Sequence, residues 1–174
     1  MDCGCYFKHR KVSQNTEPPS ISNVPQNIVD KANFDDPESC FILSKLLFEN
    51  STAYNPALGE HYLQKSVQAG FSDAILYYSE ILHNGSKILK DDKKAEKYLK
   101  LAIKKDILTA PIQLSEFYFD SFKYKKGIKI LKKSAKKNNT KSMIYLSQLY
   151  QEGNFIEQSN KKSFELLEKA SEKG

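Results

Sequence analysis

Four stretches of this chain superpose on one another, and that recurrence limits the possible folds more than any other property of the sequence. They are ESCFILSKLLFEN from Glu38, DAILYYSEILHNG from Asp73, TAPIQLSEFYFDS from Thr109 and KSMIYLSQLYQEG from Lys141. If the second residue of each is position one, that position is small every time: Ser39, Ala74, Ala110 and Ser142. Position five is Leu43, Tyr78, Leu114 or Leu146, and position six is always serine: Ser44, Ser79, Ser115 and Ser147. A second stretch follows each first one: YLQKSVQAG from Tyr62, YLKLAIKKD from Tyr98, ILKKSAKKN from Ile130 and LLEKASEKG from Leu166. Ahead of these stand further small residues, Gly59, Ala95, Gly127 and Ser163. Two blocks that match four times in one register define a repeat protein.

Each block has a helical period. Positions one, two, five, eight, nine and twelve fall within about a third of a turn at ~100° per residue, which makes one apolar face. Asp36 before Pro37 and Asn55 before Pro56 predict N-caps followed by a first-turn proline. Ser72, Asp91 and Ser159 are placed to cap in the same way, and Pro111 falls in a first turn behind Thr109. Gly70, Asn138 and Gly174 read as helix stops. The small residues let two helices cross closely, so each repeat predicts a hairpin of an A helix and a B helix.

These features resemble the Sel-one-like repeat, a relative of the tetratricopeptide repeat with a longer loop between its two helices. The second repeat carries the pattern in Ala74, Tyr78, Ser79, Leu82, Gly85, Asp91, Lys94, Ala95, Tyr98, Leu99 and Ala102. The fourth keeps Leu146, Tyr150, Gly153, Lys162, Leu166, Leu167, Ala170 and Gly174. Serine replaces the helix-A glycine of that pattern throughout. The third repeat departs most, with a shortened loop and Lys123 in place of the capping aspartate. The resemblance implies an all-α, right-handed α-α superhelical solenoid of about four hairpins, at 36–70, 71–106, 107–138 and 139–174. Residues 1–27 are expected to be a disordered tail, and residues 28–35, through Ile28–Ala32, an N-terminal capping helix.

Tetratricopeptide geometry would line the concave surface with A helices. Position three (Phe41, Leu76, Ile112, Ile144) and position ten (Phe48, His83, Phe119, Gln151) lie roughly opposite the first apolar stripe, flanked by position seven (Lys45, Glu80, Glu116, Gln148). Their apolar members either pack between repeats or anchor a bound peptide, and the two positions could divide between these roles. The A blocks hold far more acid than base, so the concave surface is expected to favour a partner segment with basic residues.

Net charge is +6, and the basic excess sits between residues 85 and 141. Every basic residue except Arg10 is lysine, a point charge without the bidentate fork of arginine. The block therefore reads as a solvated surface before a nucleic-acid footprint. The alternative is a lysine-rich surface for nucleic acid or anionic membrane, with Cys3 and Cys5 beside Lys8–Lys11 as a palmitoyl anchor.

No run approaches the ~20 apolar residues of a spanning helix. With no signal-peptide core in the first residues, a cytosolic location is expected. His9, His61 and His83 are scattered, and no nucleophile motif, phosphate-binding loop or metal-spaced cluster appears. A non-catalytic adaptor without metal or cofactor is the expectation. No capping helix follows Gly174, so the last hairpin has a polar far side, meets a partner end to end, or belongs to a longer array.

Overall fold

The computed structural model describes residues 24–49 and 53–173. Nine helices and no strand occur among the described residues. They are α1 (Gln26–Asn33), α2 (Pro37–Glu49), α3 (Pro56–Gln68), α4 (Ser72–Asn84), α5 (Asp92–Lys104), α6 (Ala110–Asp120), α7 (Tyr124–Lys136), α8 (Thr140–Glu152) and α9 (Asn160–Ser171). The pairs α2–α3, α4–α5, α6–α7 and α8–α9 are hairpins, each packed on the next. The fold is an all-α solenoid. Helix α1 starts inside the stretch assigned to the tail and packs on α2 through Val29 and Ala32. The Cys40 thiol, buried there, donates to the Ala32 carbonyl at 3.4 Å. Residues 1–23, with Cys3, Cys5 and His9, lie outside the described residues.

Capping fixes the helix starts. Asp36 accepts from the Ser39 amide at 2.9 Å, Asn55 from Leu58 at 3.1 Å, Asp91 from Lys94 at 2.9 Å and Ser159 from Lys162 at 3.4 Å. Ser72 differs from expectation. It is the first residue of α4, which starts after Phe71 with no side-chain cap. Asn139 caps α8 through the Ser142 amide at 2.9 Å, a cap the sequence reading passed over.

One backbone device repeats at every junction between hairpins. Asp35, Gly70, Asp106 and Asn138 have φ of 59°, 86°, 56° and 64°, and each stands four positions ahead of the small residue opening the next A helix. A single left-handed residue ends one helix and turns the chain into the next.

The position-six serines show why serine serves where the family pattern has glycine. All four are buried, and each hydroxyl donates to the carbonyl three residues earlier, that of Phe41, Leu76, Ile112 or Ile144, at 2.6 to 2.7 Å. The hydroxyl is satisfied within its own helix, so the crossing stays both narrow and polar-neutral.

The two layers are not equivalent. Among the A helices, α4 approaches α6 and α6 approaches α8, whereas no pair of B helices comes comparably close. From the second hairpin to the fourth, the A helices therefore lie closer together than the B helices, and the B layer is the splayed side.

The third hairpin has its own strain. Its connection, 121–123, is shorter than 85–91 or 153–159, and the exposed aromatic Phe122 adopts φ 58°. Lys123 precedes α7 without a side-chain cap, and a cation at a helix N-terminus opposes the helix dipole. Lys123→Asp is expected to raise stability by about 1 kcal/mol, visible as a higher unfolding midpoint in urea. A lower midpoint would show that the tight connection prevents the cap from forming.

Candidate peptide-binding face

The twelve side chains singled out on the A helices separate into packing residues and surface residues. Phe48 is 1% exposed and Phe119 is 7% exposed, so neither is a free anchor. Each fills the space left by a glycine on its partner B helix. A Cβ on Gly59 would lie 3.1 Å from the Phe48 ring, and one on Gly127 would lie 2.3 Å from the Phe119 ring. Where position ten is polar, as in His83 and Gln151, the residue at the glycine's place in the register is Ala95 or Ser163. The crossing conserves volume: a large ring goes with glycine and a smaller polar group with a Cβ.

Phe41 is half-buried between repeats, its ring centroid 5.6 Å from Phe71 and 5.8 Å from Tyr77. The Lys45 ammonium lies 5.8 Å from the centroids of both Phe41 and Tyr77. Leu76 and Ile112 are also partly buried against the core. That leaves Ile144, at 43% exposed, with Glu80, Glu116, Gln148 and Gln151 open on the surface. At position three, Phe41, Leu76 and Ile112 are thus partly buried and Ile144 is exposed.

Between α4 and α6 lies a cavity of about 340 Å³, lined by Glu80, His83 and Asn84 from one helix and Gln113, Glu116, Phe117 and Asp120 from the other, with Ser79 and Leu99 behind. Of these, Glu80, His83 and Glu116 are the three that lie on the face expected from the sequence to bind a partner. Position eleven, occupied by Glu49, Asn84, Asp120 and Glu152, carried a polar signal that would have added two more.

His83 is held from both sides, with Nδ1 at 2.7 Å from Asp92 and Nε2 at 3.4 Å from Asp120. Its ring centroid lies 4.8 Å from that of Phe117. Burial opposes ionisation of Asp92, but the His83 hydrogen bond and the Lys90 charge together keep its carboxyl below the usual range. Glu116 moves the other way: burial pushes its carboxyl up, the Tyr145 hydroxyl opposes the shift, and the Asp120 charge adds to it. Gln113 Oε1 is buried and has no hydrogen-bond donor. The cavity therefore presents three carboxylates and an aromatic wall, with no lysine among the lining side chains. That arrangement suits a cation bearing several N–H donors.

Among the described residues, no group of three or more His, Cys, Asp or Glu side chains is placed to hold a metal ion. No described helix is long and apolar enough to cross a membrane.

Stacked helical hairpins with an acidic inner cavity are the geometry of a repeat scaffold. Residues 37–71, 72–107 and 140–174 match the Sel1 repeat, and this chain belongs to the Sel1 repeat family. Members are commonly protein-interaction scaffolds and are generally non-catalytic. The hairpin α6–α7, which the structure shows plainly, lies outside those matches. The fold is similar to that of c5321, a protective antigen of uropathogenic Escherichia coli strains displaying an SLR fold, with a TM-score of 0.66 and 19% identity. That match covers 87% of this chain and 34% of the other. A Sel1 repeat protein from Oxalobacter formigenes is similar with a TM-score of 0.59 and 22% identity, over 84% of this chain and 44% of that one. This chain thus spans less than half the length of either. No curated protein matches.

Proposed function

We propose that the chain is a non-catalytic adaptor that captures a basic segment of a partner protein on its A layer, centred on the cavity between α4 and α6. The observation that carries this reading is the wall of Glu80, Glu116 and Asp120, with no lysine lining it. An arginine or lysine side chain supplies the complementary charge, and Phe117 lines the same cavity.

Two measurements test it, using fluorescence anisotropy with an arginine- and lysine-rich peptide. Glu80→Lys combined with Glu116→Lys is expected to weaken binding about tenfold or more, which corresponds to about 1.4 kcal/mol. Unchanged affinity would remove the proposal. Affinity is also expected to fall as pH is lowered, because a protonated Glu116 no longer attracts a cation. Since its carboxyl titrates above the ordinary range, the fall begins at higher pH than for an exposed carboxylate. The cytosolic location expected from the sequence belongs to the same proposal, and cell fractionation tests it.

A further inference from the structure

On the opposite layer, α5 and α7 leave a second cavity of about 400 Å³. Its floor is aliphatic: Ile103 and Ile107 from one side, Pro111 and Leu114 below, and Ile130 from the other side. Lys100 and Lys104 rise along α5, and Lys133 and Lys137 along α7. Lys100 is engaged by Glu96, but the other three make no ion pair among the described residues, and Asp106 is the one carboxylate among the described lining residues.

The repeat register explains why the gap exists here. In the preceding hairpin, Tyr78 and Tyr98 pack with ring centroids 5.1 Å apart, and the Tyr78 hydroxyl reaches back to α3, donating to Glu60 at 2.9 Å. Leu114 and Ile130 occupy the same two positions in the third hairpin. Two aromatic rings have become two shorter aliphatic chains, and those chains form the floor of the groove. The splay of the B layer then leaves the space between α5 and α7 open. The lining residues of α5, from Lys100 to the turn at Ile107, extend over about two helical turns.

We propose that this groove is a second docking site, for an acidic amphipathic helix of a partner protein. An apolar stripe seats between α5 and α7 while carboxylates on its flanks meet Lys104, Lys133 and Lys137, the helix-in-groove mode of recognition. Charge complementarity selects an acidic occupant, and the shape of the groove selects a rod with one apolar face. Single-stranded nucleic acid is matched less well, because an aliphatic floor offers no ring for bases to stack on and lysine reads no base edge. A bilayer is matched less well too. The floor is recessed, and of the apolar lining only Leu108, at 54%, is substantially exposed. This inference is separable from the A-layer reading, since it rests on Lys104, Lys133 and Lys137 where that reading rests on Glu80, Glu116 and Asp120.

The experiment uses the full chain and fluorescein-labelled peptides. One has leucine at i, i+3, i+4 and i+7 with glutamate elsewhere, and a control of the same composition is scrambled. The patterned peptide is expected to bind at least about tenfold more tightly than the scrambled one. Ile130→Tyr, which refills the groove, and the triple charge reversal of Lys104, Lys133 and Lys137 to glutamate are each expected to weaken it about tenfold. Circular dichroism checks that each variant keeps its helices. If Ile130→Tyr does not, Leu108→Asp at the exposed edge takes its place with the same expectation. Glu80→Lys with Glu116→Lys is expected to leave this peptide's affinity unchanged, which separates the two sites. Equal binding of patterned and scrambled peptides overturns the proposal, as does indifference to refilling the groove. A single-stranded DNA or a phosphatidylserine vesicle that displaces the peptide more effectively than an unlabelled copy of it also overturns the proposal.

Discussion

Gly127→Ala is expected to destabilise the protein by about 1–3 kcal/mol, although alanine is the better helix former by about 0.5–1 kcal/mol. Packing overrides propensity because the new Cβ would lie 2.3 Å from the Phe119 ring and 2.9 Å from the Ser115 carbonyl oxygen. Neither can yield easily. Ser115 contributes backbone in the core of α6, and the Phe119 ring is stacked on Phe155 at 4.4 Å. Gly59→Ala is the matched control. There the Cβ would meet only the Phe48 ring at 3.1 Å, a contact that a small shift relieves, so the net effect is expected near zero. The register adds a further test. Since the register pairs His83 with Ala95 and Gln151 with Ser163, Phe119→Gln with Gly127→Ala should cost less than the two single changes added together. Strict additivity in urea unfolding would disprove the coupling of these two positions.

The second large effect is at Leu131, which is 0% exposed on α7. Leu131→Ala is expected to cost about 2–5 kcal/mol through lost burial and the cavity left behind. Its distribution along the chain matters as much as its size. Buried residues of α7, α8 and α9 join one apolar cluster with Phe119, while Leu114, Phe117 and Tyr118 of the same α6 belong to the cluster that runs back through α4. In a repeat array each hairpin leans on its neighbours, so the loss should concentrate in α6 to α9. Hydrogen exchange should show protection falling most there, with α2 to α4 affected least. A uniform loss along the chain would mean that the array unfolds as one block.

Much of this architecture is legible in the residues because it rests on volume and period. Ser39, Ala74, Ala110 and Ser142 mark the crossings, and Asp36, Asn55 and Asp91 mark helix starts through short-range bonds that a single position can encode. The face of α2 and α6 was harder to read. Phe48 and Phe119 look like anchors when the A helix is read alone, and become core only when Gly59 and Gly127 are seen to face them. The α4–α6 cavity was half legible, since Glu80, His83 and Glu116 share a helical face, whereas Gln113 and Phe117 enter only through the angle between two helices. The B-layer groove was present in the alignment as Tyr78 and Tyr98 against Leu114 and Ile130. A substitution between apolar types reads as neutral until the space it vacates is known.

A rod joined along one side bends most easily about that side. Because α4 approaches α6 and α6 approaches α8 more closely than any two B helices approach each other, flexing changes the outer gaps more than the inner seam. A helix lodged between α5 and α7 would resist closure of that one gap, and so hold the second and third hairpins at a fixed angle.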